Sequence, residues 1–154
     1  MEFEKILCAV KIPTIALIAL WIMQFAIEIA TNVQAENFTD LSQLGGGAIA
    51  AIAIMLIFFL LNMAVFFWAG FKTAKEVPGG AVEGMAGAVI AALIYGIVTG
   101  ILGVIISVAT PSQSGVPVAV TVIATIFVVI AAIVFNVMAA AVLGLIGGFV
   151  GKAK

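Results

Sequence analysis

Almost every charge in this chain stands at the end of a long, unbroken apolar segment. All six cationic side chains are lysines. Lys5 and Lys11 precede the first apolar segment, Lys72 and Lys75 follow the second, and Lys152 and Lys154 follow the fourth. The connections after the first and third segments carry no lysine. Positive residues that flank membrane spans stay on the cytoplasmic side. The lysine clusters therefore predict one threading, with four spans and both termini cytoplasmic.

Of the 154 residues, 66% are hydrophobic and only 8% are charged. Soluble domains carry about 25% charged residues. A soluble fold cannot hide so much apolar surface, so lipid has to act as the solvent. Only helices and closed barrels satisfy every backbone polar group inside hydrocarbon. Barrel strands are alternating segments of about ten residues, whereas these segments are long and continuously apolar. The expected fold class is all-α: an integral membrane bundle of four transmembrane helices in a single domain over residues 1–154. The spans are expected at about 12–33, 48–71, 83–109 and 118–150. The plasma membrane is the expected location, because the lysine rule applies most simply there.

Several features qualify the ends of the spans. Pro13 is expected in the first turn of the first helix, where its missing N–H costs nothing. Val33-Gln34-Ala35 has the look of a secretory cleavage site, but the apolar run before it is long enough to span. Phe66-Phe67-Trp68 is expected as an interfacial aromatic belt. Thr73–Gly80 is expected as the inner connection, with Pro78-Gly79-Gly80 forcing a turn. Span four is too long for a bilayer of about 30 Å, so a bend or exit is expected at Gly144, Gly147 and Gly148. Cys8 is the single cysteine and forms no intrachain disulfide. It is expected as a small apolar residue at the inner interface, with lipidation as the alternative.

Span three has the strongest pattern. Gly84, Ala88, Ala92, Gly96 and Gly100 recur at every fourth position, and Gly103 belongs to a second row beside them with Gly87, Ala91 and Ser107. Small residues at this spacing let helix backbones approach closely in lipid. Span three is therefore expected as the hub of the bundle, either within one chain or at an oligomer interface. Gly144, Gly147, Gly148 and Gly151 form a second candidate surface of this kind.

A sparse polar set runs through the spans. Gln24, Glu28 and Asn32 share one face of span one. Asn62, Tyr95, Thr99 and Asn136 fall near mid-depth on the other three, a polar layer expected to fix helix register. Glu28 is the one ionisable residue well inside a span, and intramembrane carboxylates are functional candidates by default. It lies about 25 Å from Lys11 at 1.5 Å per residue, towards the outer surface. Glu28, Gln24 and Asn32 thus make a possible ion or solute site.

The chain has no histidine, which removes imidazole ligands and a histidine base. Neither a metal-ligand cluster nor a phosphate-cradling loop is present, so no catalytic residue and no cofactor is expected. With every lysine at a membrane edge, no basic face remains for nucleic acid.

Four spans with a carboxylate in the first resemble the small multidrug transporters in outline. Glu28 lies further out and the spans are longer, so that family's site is not carried over. Ala69-Gly70-Phe71, a short break, then Gly80-Ala81-Val82-Glu83-Gly84-Met85-Ala86-Gly87 resemble glycine-rich, multi-span small archaeal membrane proteins of unknown function. The similarity covers about residues 69–103 and implies a stand-alone small membrane protein, without implying an activity.

The expected function is a non-enzymatic structural or accessory membrane component. Its partners would be the lipid bilayer and either further copies of itself or a larger membrane complex, met through glycine-rich helix faces. The alternative is a small oligomeric channel or transporter that uses Glu28 with Gln24 and Asn32.

Overall fold

The computed structural model describes residues 3–31, 46–109 and 117–153, without the side chains at 28, 30, 31, 46–48 and 51. Among these residues the chain forms α1 (Phe3–Thr31), α2 (Gly46–Glu76), α3 (Ala81–Ala109) and α4 (Val118–Lys152). All four are long and apolar enough to cross a membrane. They contain 29 to 35 residues, or about 43 to 52 Å of helix. A bilayer core is about 30 Å thick, so each helix is longer than a perpendicular span requires.

α1 begins well before Pro13, which therefore lies in the helix interior and not in its first turn. An interior proline costs roughly 3 kcal/mol or more, through its lost bond and its clash. The two turns before it compensate: Ile6 and Val10 are fully buried, and so are Ala9 and Pro13 itself. The close packing of these side chains against the rest of the bundle holds the helix together across the proline.

α2 also runs further than its sequence suggests. Thr73 lies inside the helix, fully buried, and its hydroxyl donates to the Ala69 carbonyl at 2.8 Å. Two contacts one turn apart stiffen this last stretch. The Lys75 ammonium sits 4.8 Å from the Phe71 ring centre, and Lys72 lies 3.8 Å from Glu76. The connection shrinks to residues 77–80. Gly79 and Gly80 take φ of 146° and 84° there, a backbone region that side chains with a Cβ rarely enter. Phe66 is a buried core residue and not part of an aromatic belt, whereas Trp68 is exposed. Consecutive helical residues point about 100° apart, so the three aromatics cannot share one environment.

α3 packs against each of the other helices, most extensively against α4, while α1 packs against α2 and α3. Along the α3–α4 seam, Gly84 faces Gly148, Gly96 faces Ile133 and Gly100 faces Val129, so the two helices are antiparallel. Along α2 and α4, Gly70 faces Gly144, while Gly147 and Gly151 face Phe71, so these two are parallel. α4 runs unbroken through Gly144, Gly147 and Gly148, in place of the expected bend. Those glycines are buried in the bundle, and contact on that face keeps the last turns helical.

Candidate functional site

The α3–α4 seam has two halves with different construction. In the half next to the α2–α3 connection, backbone meets backbone. A Cβ on Gly84 would stand 2.6 Å from the Gly148 Cα and 2.9 Å from the carbonyl oxygens of Gly144 and Gly70. A Cβ on Gly70 would stand 2.5 Å from the Gly144 Cα. One on Gly148 would meet the Ala81 Cα at 2.7 Å. Three helices thus close on one another through four glycines. Gly87 admits the Thr73 side chain in the same region, and Gly147 and Gly151 lie against the α2 backbone at Phe67 and Phe71. In lipid, where no hydrophobic drive separates helix from solvent, such close van der Waals contact is a main source of association.

In the other half the helices part. Gly96 and Gly100 meet only side chains, those of Ile133 and Val129, and a Cβ on Gly103 would have no neighbour within 4 Å. Two cavities flank this half of the seam and share Gly96, Gly100, Val129 and Ile133. One, of about 370 Å³, is lined by aliphatic side chains and glycine, among them Ile97, Ile101, Ile126 and Ile130. The other, of about 240 Å³, lies towards α1 and is lined by Trp21, Tyr95, Thr99 and Asn136, with Gly103 and Val128.

The second cavity brings together three of the polar residues expected near mid-depth. Tyr95 is almost wholly buried. The Thr99 hydroxyl donates to the Tyr95 carbonyl at 2.8 Å, with the Gly96 carbonyl at 3.5 Å. Asn136 is half-buried on α4. Trp21, stacked on Phe25 with ring centres 5.6 Å apart, supplies an aromatic wall from α1. Its only advance signal is position: it lies one turn before Gln24. Asn62 does not join them. It is half-buried on α2, and its Oδ1 is buried with no hydrogen-bond partner among the described residues. The hydroxyls of Thr73, Thr99, Ser107 and Thr125 each donate to a carbonyl of their own helix. These bonds satisfy the hydroxyls locally and do not tie one helix to the next.

The outer polar site is only partly in view. Gln24 is half-buried on α1. The Glu28 side chain and all of Asn32 lie outside the described residues. Of the expected interface residues on α3, Gly84, Ala88, Ala92, Gly96 and Gly100 are buried within the chain, whereas Gly103 is only half-buried. Among the described residues, no three His, Cys, Asp or Glu side chains gather where they could hold a metal ion.

Compared with known proteins, the chain matches no family model, no characterised protein and no solved structure.

Proposed function

We propose that this chain is a non-enzymatic integral membrane component, threaded with four spans and both termini cytoplasmic, that acts by helix packing within the bilayer. The plasma membrane is the proposed location. Partners would be a larger membrane complex or further copies of the chain. One observation carries this proposal: α4 is anchored by backbone contact at one end, meets α3 through side chains further along, and leaves its opposite face exposed. Its glycines are buried at the junction, while Phe127, Val128, Phe135 and Met138 are each more than half exposed. Most small residues of α3 are occupied by the chain's own helices, and the partner surface proposed here is Gly103 with the exposed face of α4. The resemblance of residues 69–103 to small archaeal membrane proteins accords with this role and adds no activity to it.

Native mass spectrometry of the protein, released gently from its own membrane, tests the proposal. The expected result is an assembly of fixed composition. A monomer carrying only lipid, across mild extraction conditions, would sink the accessory role.

A further inference from the structure

We propose that the cavity between α1, α3 and α4 binds the head of a slim, uncharged alcohol drawn from the bilayer, such as a long-chain fatty alcohol. This rests on the four helices lying in a membrane, but not on any protein partner. The cavity has a built polar end. Tyr95, Thr99 and Asn136 converge there from two helices, and Trp21 closes it from a third. No side chain among the described residues pairs with the Tyr95 hydroxyl or the Asn136 amide. Tyr95 is almost wholly buried and Asn136 half-buried, so a ligand that pairs with these groups adds hydrogen bonds in a site largely shielded from water.

The lining selects the ligand class. None of its residues is ionisable near neutral pH, so an ammonium or carboxylate head would lose hydration and gain no counter-charge. The Thr99 proton is committed to its own helix, which leaves that hydroxyl to act as an acceptor. Tyr95 and Asn136 can donate as well as accept. A ligand hydroxyl matches both demands: it donates to Thr99 and accepts from Tyr95 or Asn136. A ketone or ester lacks the proton that Thr99 needs.

Size and access point the same way. The volume of about 240 Å³ is below the roughly 300–1,000 Å³ of pockets that enclose drug-sized molecules. Only the head and first carbons of a lipid-like chain fit. Val128, which lines the cavity, is 67% exposed on α4 and marks an opening through which the remaining chain can stay in lipid.

Trp21 provides the readout. The chain has two tryptophans, and Trp68 is no part of the cavity, so Trp68→Phe leaves one reporter. The full-length variant is reconstituted into phosphatidylcholine vesicles, and retention after an alkaline wash is scored first. Release from the vesicles would overturn membrane residence and this proposal together. The retained protein is titrated with a long-chain alcohol brominated near its hydroxyl, and with the matching bromoalkane and bromocarboxylate. The expected result is saturable quenching by the alcohol, reversed by unbrominated alcohol, with no saturable phase for the other two. Tyr95→Phe and Asn136→Leu should each weaken it about three- to tenfold, the worth of one net hydrogen bond. Gly103→Leu should abolish it by occupying the space, without touching a polar group. Equal, unsaturable quenching by alcohol and alkane would overturn the proposal. So would unchanged affinity in correctly folded Tyr95→Phe and Gly103→Leu proteins, or carboxylate binding as tight as the alcohol's.

Discussion

The same two helices meet in two different ways along one seam. Around Gly84, Gly144 and Gly148 the contacts are backbone to backbone, and a third helix joins through Gly70. Around Gly96 and Gly100 the contacts are glycine to side chain, and a Cβ at Gly103 would have no neighbour within 4 Å. A backbone atom cannot swing aside, whereas a side chain can change rotamer or be trimmed. Close approach therefore fixes helix spacing in the first half and leaves room for cavities in the second. Identical small-residue spacing in the sequence thus serves two ends: a rigid junction and an openable groove.

The largest effect should come from one methyl group placed in the junction. Gly84→Ala puts a Cβ within 2.6–2.9 Å of backbone atoms on two other helices. Overpacking a tight core costs typically about 1–3 kcal/mol, occasionally more. The intrinsic helix gain of alanine over glycine is only about 1 kcal/mol. The junction should win, with a clear fall in thermal midpoint in detergent, followed by circular dichroism. No second substitution at Gly70, Gly144 or Gly148 should restore it, because the obstruction is main chain. An unchanged midpoint would break the contrast between the two halves at its strongest point.

A smaller and reversible loss is expected further along. Gly100→Ala meets one atom, the Val129 Cγ1 at 2.5 Å, and the other nearby Val129 atoms stand at 3.8 Å. Val129→Ala removes that atom. The single variants should each lose about 1 kcal/mol, and the double variant should lose less than their sum, with a coupling of at least about 0.5 kcal/mol. A double-mutant cycle on unfolding midpoints measures this. Strict additivity would mean that the helices have already moved apart at this level, and the distinction between the halves would need redrawing.

Much of the architecture was legible in advance, for a simple reason. Apolar runs of this length with so few charges have few solutions in lipid, so helix number and class follow from hydropathy alone. Helix ends were harder to place. Lys72 and Thr73 looked like the start of a loop, yet α2 continues to Glu76 because Thr73 fills the space left by Gly87. Local preference alone puts Pro13 in a first turn, whereas the burial of Ile6 and Val10 carries α1 back past it. The small-residue rows announced close packing but not its partner. The mid-depth polar residues were visible one by one. Their grouping was not, since Tyr95, Thr99 and Asn136 meet Trp21 only through the way α1 and α4 lie against α3, and Asn62 at a similar depth stays apart.

The smallest expected effect carries the opposite sign. Gly103→Ala adds a methyl where nothing stands within 4 Å, so overpacking does not arise. What remains is the backbone entropy that glycine loses in a helix, about 0.5–1 kcal/mol relative to alanine. Stability should rise by up to that amount, seen as a small upward shift in the same midpoint. One methyl at three positions on one helix should thus give a loss that no partner substitution rescues, a loss that trimming the facing side chain relieves, and a slight gain. A fall at Gly103 would mean that this part of α3 is already covered, by another copy or by a closer approach of α4. The bare stretch proposed as the partner surface would then be an interface in use, with Gly103 at its centre.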